Sequence, residues 1–286
     1  MIDLHTHSSV SDGTDTIEEL VGKAGQAGIE ILSISDHDTM DGVDLAQELG
    51  AKAGIEVLRG MELSTHHTTG AGSTSIHLLA YGCDPTSEHI ITLLRDLTEA
   101  RESRVPKMVE VLNGLGLELT VEEVEAQSSV ASVSGRPHVA DAMVARGYVA
   151  SREEAFATYL SEEGPAYISR YTPCLNEAIE LIHQARGVAV LAHPWGRGSQ
   201  EVLDATEIEK LVGDYHLDGI EVDHVDHDDQ ARMVLRGLAE DLGLIITGSS
   251  DYHGLGKTRN PLGVNTTPYD IYERLKSTIE ERGGRP

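Results

Sequence analysis

Residues 16–38, TIEELVGKAGQAGIEILSISDHD, set the rhythm from which the fold is read. Ile17, Leu20, Val21 and Ala24 recur at helical spacing, Thr16 stands where an N-cap belongs, and Gly28 supplies a stop. The apolar pattern then tightens: Ile29, Ile31, Leu32 and Ile34 read as a short strand that ends in Asp36, His37 and Asp38. Upstream, residues 1–13, MIDLHTHSSVSDG, alternate Ile2 and Leu4 with Asp3, His5 and His7. That period of two predicts a first strand with both imidazoles on one face, where they can reach one cation. Downstream, DGVDLAQELGAKAG (41–54) reads as a second helix and IEVLRGMELST (55–65) as a third strand ending at Glu62. Such β-α-β-α-β alternation predicts a parallel sheet or barrel, with functional residues at the carboxyl ends of the strands.

The rhythm continues with a fourth strand, STSIHLLAYG (73–82), carrying His77, and with helices over 89–116 that break near Pro106. Between about residues 100 and 172 the segments VEEVEAQS, PHVADAMVARGY and SREEAFATYLS are short and helical, with no strand pattern among them. We read this as a helical insertion over the mouth of the barrel, dividing the chain into a first barrel part (1–99), a cap (100–172) and a second barrel part (173–286). In the last part LNEAIELIHQARG, VAVLAHPWG, DGIEVDHVDHDD, QARMVLRGLAEDLG and LIITGSSDYHG restore the helix-to-strand alternation, and EERGGRP reads as a frayed tail.

With 286 residues the chain can bury a full-sized core. Its 22 basic and 48 acidic residues give a net charge of −26, which disfavours extended nucleic acid as a partner. A small anion can still be held where metal ions supply positive charge locally. Two distant cysteines, Cys83 and Cys174, argue against a disulfide framework and a thiolate metal site. No secretory signal or membrane-length apolar run is evident, so a cytoplasmic protein with no membrane partner is expected. The oligomeric state is not legible.

Six predicted strands end in metal-ligand types: His5, His7 and Asp12; His37; Glu62; His77; His193; and Asp251 with His253. Nine ligands exceed what one ion takes, so two or three clustered divalent ions are expected, with Glu62 able to bridge. Imidazole and carboxylate suit Mn, Fe and Zn alike.

The stretches DLHTHSSVSDG (3–13), ISDHDTMDG (34–42), GMELST (60–65), LAHP (191–194) and GSSDYHG (248–254) resemble the motifs of the polymerase and histidinol phosphatase (PHP) family, over nearly the whole chain. The resemblance implies a distorted (β/α)7 TIM-like barrel, a metal-dependent phosphoesterase activity and a two- or three-metal centre. It would give His5, His7, Glu62 and Asp251 to one metal, Glu62, His77 and His193 to a second, and Asp12, His37 and His253 to a third. Asp12 stands where some members have histidine. Residues 134–170 resemble the helical cap of the stand-alone nucleotide phosphatases. On that likeness Arg136 and Arg197 would bind phosphate. His138 and His227 are the candidates for a general acid. The implied substrate is a small phosphorylated nucleotide, either a nucleoside 3′,5′-bisphosphate losing its 3′-phosphate or a monophosphate such as AMP. A cyclic phosphate phosphodiesterase, a histidinol phosphatase and a non-catalytic or proofreading module serving a polymerase stay open as alternatives.

Overall fold

The β-α rhythm becomes a mixed α/β fold in the computed structural model, which describes residues 1–127 and 134–286 apart from the Arg197 side chain. The first half alternates β1 (Ile2–Thr6), α1 (Ile17–Gln26), β2 (Ile31–Ile34), α2 (Val43–Ala53) and β3 (Glu56–Val57), then forms β4 (Gly60–Thr69) and β5 (Gly72–Tyr81). Helices follow as α3 (Glu88–Glu102), α4 (Arg104–Gly114), α5 (Val121–Glu125), α6 (Arg136–Ala145), α7 (Arg152–Ala155) and α8 (Leu175–Gln184). The chain closes with β6 (Val188–Ala192), α9 (Ala205–Tyr215), β7 (Gly219–Asp223), α10 (Asp229–Asp241), β8 (Ile245–Gly248) and α11 (Tyr269–Glu281). Local chemistry accounts for the boundaries. Thr16 caps α1 in a reciprocal pair with Glu19, and Ile17, Leu20, Val21 and Ala24 form its buried face.

β1, β2 and β3 make one parallel sheet, and β4 to β8 make a second in chain order. The uniformly parallel sheet expected from the sequence is corrected here, because β4 and β5 form an antiparallel hairpin and β5 pairs antiparallel with β6. Only Gly70 and Ala71 separate the paired Thr69 and Gly72, too short a connection for a crossover and the right length for a hairpin. The strand expected over 55–65 is likewise two strands, interrupted at Leu58 and Arg59. Gly60 lies against the neighbouring strand so closely that a Cβ there would sit 2.2 Å from Ser33 Oγ. Two isolated parallel bridges, Thr6 with Tyr252 and His37 with Glu62, link the two sheets at strand ends.

A separate apolar cluster is built solely from residues between Val105 and Ile168, among them Met108, Leu112, Val139, Met143 and Leu160. No strand is found among the described residues between Glu102 and Leu175. The helix break expected near Pro106 occurs at Ser103, because proline lacks only an N–H that the first turn of α4 leaves unbonded anyway.

The C-terminus is tied down rather than frayed: Arg285 N–H donates to Gly82 O at 2.8 Å, and Arg282 forks onto Asp218 at 2.6 and 2.7 Å. Burial pushes the Asp218 carboxyl up, but hydrogen bonds from His183 and Arg282 outweigh it and hold the group below its ordinary value. Its stabilising contribution is therefore present above about pH 4, the value for an unfolded aspartate, and is lost as pH falls through the depressed folded value. Asp218→Asn is expected to cost about 2 kcal/mol at pH 7, less than a fully enclosed pair because the Arg282 side chain is 30% exposed. Urea unfolding at pH 7 and pH 3 checks this: the deficit should shrink at the lower pH, and equal midpoints at pH 7 would refute the anchoring role.

Candidate metal centre and active site

The strand ends converge on Glu62, which is buried with both carboxylate oxygens facing imidazoles. Oε2 lies 3.3, 3.2 and 3.0 Å from His5 Nε2, His7 Nε2 and His37 Nδ1, and Oε1 lies 2.7 and 3.2 Å from His77 Nδ1 and His193 Nε2. Asp251 Oδ1 adds contacts of 3.5 and 3.4 Å to His5 and His7. On the other side, Asp12 reaches His253 Nε2 at 3.3 Å and His37 Nε2 at 3.7 Å. Donors around a tetrahedral ion at about 2.1 Å stand about 3.4 Å apart, so these spacings fit divalent metal. The hydrogen-bond pattern agrees. His5 Nε2 and His7 Nε2 face each other at 3.1 Å, and the buried atoms His7 Nδ1, His37 Nδ1, Asp251 Oδ1 and His253 Nε2 lack hydrogen-bond partners among the described residues. All nine sequence-predicted ligands fall in overlapping groups whose donor atoms lie within 4.8 Å of one another.

Backbone strain concentrates here. His193, Asp251 and Asp38 are non-glycine residues in the left-handed region, at φ of 30°, 53° and 57°. Such conformations are costly and persist where surrounding structure enforces them, as at a preorganised site.

Behind these ligands lies a shell that the sequence reading missed. Glu221, fully buried on β7, meets His5 Nδ1 at 3.0 Å, accepts the His193 N–H at 2.9 Å and accepts the Ser249 hydroxyl. A carboxylate on the far ring nitrogen fixes a ligating histidine's tautomer and orientation. Glu221→Gln is accordingly expected to weaken metal affinity about 10- to 100-fold, measured by competition with a chromogenic chelator. Unchanged affinity would show that His5 needs no such support. His224 Nε2 lies 3.3 Å from Asp251 Oδ2, and Lys257 Nζ donates to the same oxygen at 2.5 Å.

A cavity of about 530 Å³ is lined by Asp12, His37, His77 and His253 and also by Arg101, Arg104, Arg136 and Arg170. Asp38 is the buried carboxylate that meets two of them, taking Arg170 at 3.0 Å and a close contact from Arg101. It also accepts the Ser64 N–H at 2.7 Å and the Ser64 hydroxyl at 3.0 Å. Burial works against its charge, but Arg101 and Arg170 hold its carboxyl well below the usual range. Tyr167 lies between Arg104 and Arg136, with their guanidinium carbons 4.9 and 5.6 Å from its ring centre. Arg104 Nε and Nη2 and Arg170 Nη1 are buried donors without hydrogen-bond partners among the described residues. In a chain this acidic, these unpaired donors of Arg104 and Arg170 suit an anion.

The PHP domain model matches residues 3–241 of this sequence. The chain belongs to the PHP domain family. It is 31% identical to the 3′,5′-nucleoside bisphosphate phosphatase of Chromobacterium violaceum, across 100% of this chain and 98% of that protein. It is 30% identical to the 5′-3′ exoribonuclease Rnm of Escherichia coli, across 97% and 96%. A crystal structure from Bifidobacterium adolescentis, provisionally described as a metal-dependent phosphoesterase, superposes with a TM-score of 0.89 at 35% identity, covering 96% and 95% of the two chains.

For this PHP chain the substrate contacts expected from sequence divide. Arg136 lines the cavity. His138 is buried at the start of α6, its Nδ1 accepting the Gly135 N–H at 3.0 Å, and burial pushes its pKa down. His227 is a correction: Nδ1 meets Val222 O at 2.9 Å and Nε2 accepts the Trp195 N–H at 3.2 Å, which leaves no ring nitrogen for acid catalysis. It braces the turn after His193 instead. Arg197 lies in the 3₁₀ turn Gly196–Glu201, but its side chain is outside the described residues. Arg101, Arg104 and Arg170 were not anticipated. RESR (101–104) does place two arginines at i and i+3, a signal that exposed helix surfaces carry just as often.

Proposed function

We propose that this protein is a metal-dependent phosphatase that removes the 3′-phosphate from small nucleoside 3′,5′-bisphosphates. One observation carries the reading: a single cavity has two anion-binding poles, the His/Asp/Glu centre and the arginine cluster. A ligand with two separated phosphates matches both, whereas histidinol phosphate or AMP would leave one pole unmatched. The relative from C. violaceum is named for the same substrate class, which supports the reading. Two or three divalent ions, Mn, Fe or Zn, on the nine ligands would supply Lewis acidity and offset phosphoryl charge when bound. Arg101, Arg104, Arg136 and Arg170 would hold the distal phosphate, with Asp38 orienting two of them. His138, whose Nδ1 accepts the Gly135 N–H, would hold the start of α6 beside the cavity residues Arg136 and Pro137, and the leaving 3′-oxygen would take its proton from the attacking water. Phe156, the chain's sole phenylalanine, forms with Pro137 and Ala157 an apolar wall suited to a nucleobase.

The same reading extends to architecture. β3 and β4 can share one position in a distorted seven-position barrel, with the Thr6–Tyr252 and His37–Glu62 bridges joining the two sheets. The segment over 100–172, with its own apolar cluster, would be the cap. No helix among the described residues is long and apolar enough to cross a membrane, and both cysteines are free, so we place the protein in the cytoplasm.

Phosphate release from nucleoside 3′,5′-bisphosphates, AMP, a ribose 1,2-cyclic phosphate, histidinol phosphate and a short oligonucleotide tests the function. The expected result is the highest kcat/KM for the bisphosphate, falling about tenfold or more in Arg104→Met. Equal rates for AMP and the bisphosphate would overturn the two-pole reading.

A further inference from the structure

A second cavity, of about 470 Å³, adjoins the first and shares Ser64, His77, Arg104, Arg136 and Arg170 with it. Arg104, Arg136 and Arg170, together with Ser64 and His77, therefore have space on both sides, where a terminal-phosphate pocket would be a dead end. Beyond the arginines, the wall changes character. Ser73, Thr74 and Ser75 of β5 line it with Tyr171, Thr172 and Glu162; Ser73 Oγ meets Thr68 Oγ1 at 2.9 Å and Thr172 Oγ1 meets His66 Nδ1 at 3.2 Å. His66 also faces this space, but its ring nitrogens already meet Thr172 and Cys174. No lysine or further arginine lines this outer part among the described residues.

Resting on the bisphosphate reading above, we propose that the second cavity is a binding site for an uncharged, hydrogen-bonding group esterified to the distal phosphate. The substrate class then includes nucleoside 3′-phosphates whose 5′-phosphate or 5′-diphosphate carries an amide- or hydroxyl-rich tail. The hydroxyls and Glu162 match amide N–H and hydroxyl donors, and buried guanidinium N–H groups without partners can serve one phosphate or two. A continuing nucleic-acid strand is disfavoured, because no lysine or arginine beyond Arg104, Arg136 and Arg170 lines the second cavity among the described residues and the chain around it carries a net charge of −26. The reaction is the same hydrolysis: water adds to the 3′-phosphorus, the P–O3′ bond breaks, the 3′-oxygen takes the proton, and inorganic phosphate leaves with the tail intact.

Coenzyme A, a nucleoside 3′-phosphate with a 5′-diphosphate ester of an amide-rich tail, is the probe. Phosphate release from it is compared with release from adenosine 3′,5′-bisphosphate and from a dinucleotide bearing a 3′-phosphate. The manganese-loaded wild type and Ser75→Trp are assayed, the latter placing an indole in the outer cavity from an exposed strand position; Ser73→Trp is a second blocking variant. Circular dichroism melts check that both fold. The tailed substrate should be within about tenfold of the bisphosphate in kcat/KM for the wild type and fall at least about tenfold in either Trp variant, with the bisphosphate changed less than about twofold. A bisphosphate turned over while the tailed probe is not, or equal losses on both in the variants, would overturn the proposal and leave the bisphosphate reading standing. A dinucleotide preferred over the tailed probe and lost on blocking would overturn the ligand class. Inactivity on all three substrates would overturn both readings.

Discussion

Glu62→Gln is expected to lower kcat by about 10³-fold or more, equivalent to about 4 kcal/mol of transition-state stabilisation, and to remove at least one metal equivalent per chain. The reason is geometric. Its two oxygens serve five imidazoles, those of His5, His7 and His37 through Oε2 and those of His77 and His193 through Oε1. An amide keeps one acceptor but places an NH₂ on the other side, which cannot ligate a cation and repels the histidine nitrogens as ligands. The negative charge that would offset bound cations is lost as well. Phosphate release together with metal analysis by mass spectrometry reads both effects. A variant that retains full metal content and activity would remove Glu62 from the centre of the site.

The second large effect is expected at Asp38. Asp38→Ala leaves the half-buried Arg101 and Arg170 without their shared, buried counter-charge, beside Arg104 and Arg136. Breaking a buried charge pair from one side costs about 3–5 kcal/mol, and the loss of both Ser64 hydrogen bonds adds to it. The φ of 57° argues for a second comparison, because asparagine tolerates the left-handed region while alanine does not. Asp38→Asn should therefore recover part of the stability but little of the substrate affinity. Thermal unfolding should order the proteins wild type, Asn, Ala. For the bisphosphate, KM should rise about tenfold in Asp38→Asn with kcat within a few-fold, the pattern of lost binding common to ground and transition states. A kcat loss with unchanged KM would place Asp38 in the chemistry rather than in orienting the arginines.

How much of this was legible depends on how local each signal is. His5, His7, His37, His193, Asp251 and His253 could be found because each lies on or just past a short apolar run, and parallel topology collects such ends; Glu62, expected to end a strand, instead stands near the start of β4, which runs on to Thr69. His77 was found for a partly mistaken reason. Its strand is antiparallel to both neighbours, so the residue lies within β5 rather than at its end, and it reaches Glu62 across the hairpin, where Ser64 is its register partner. His227 was misjudged because a histidine beside a ligand strand looks the same in sequence whether its nitrogens face substrate or the backbone. Glu221 was passed over since a glutamate between Ile220 and Val222 gives no hint that its carboxylate supports His5 and His193.

The sequence by itself determined the β-α alternation, the metal-ligand types at the strand ends and the excess of negative charge, because periodicity, residue chemistry and net charge are all local or additive. Only the tertiary structure decided which way β4, β5 and β6 run, since a two-residue turn and a long crossover can follow the same apolar pattern. It alone brought Arg101, Arg104, Arg136 and Arg170 to one cavity, two of them onto Asp38, a residue up to 132 positions away in the chain. Charges that look solvated one at a time become an anion site when folding buries them together, and no single stretch of sequence carries that cost or its remedy.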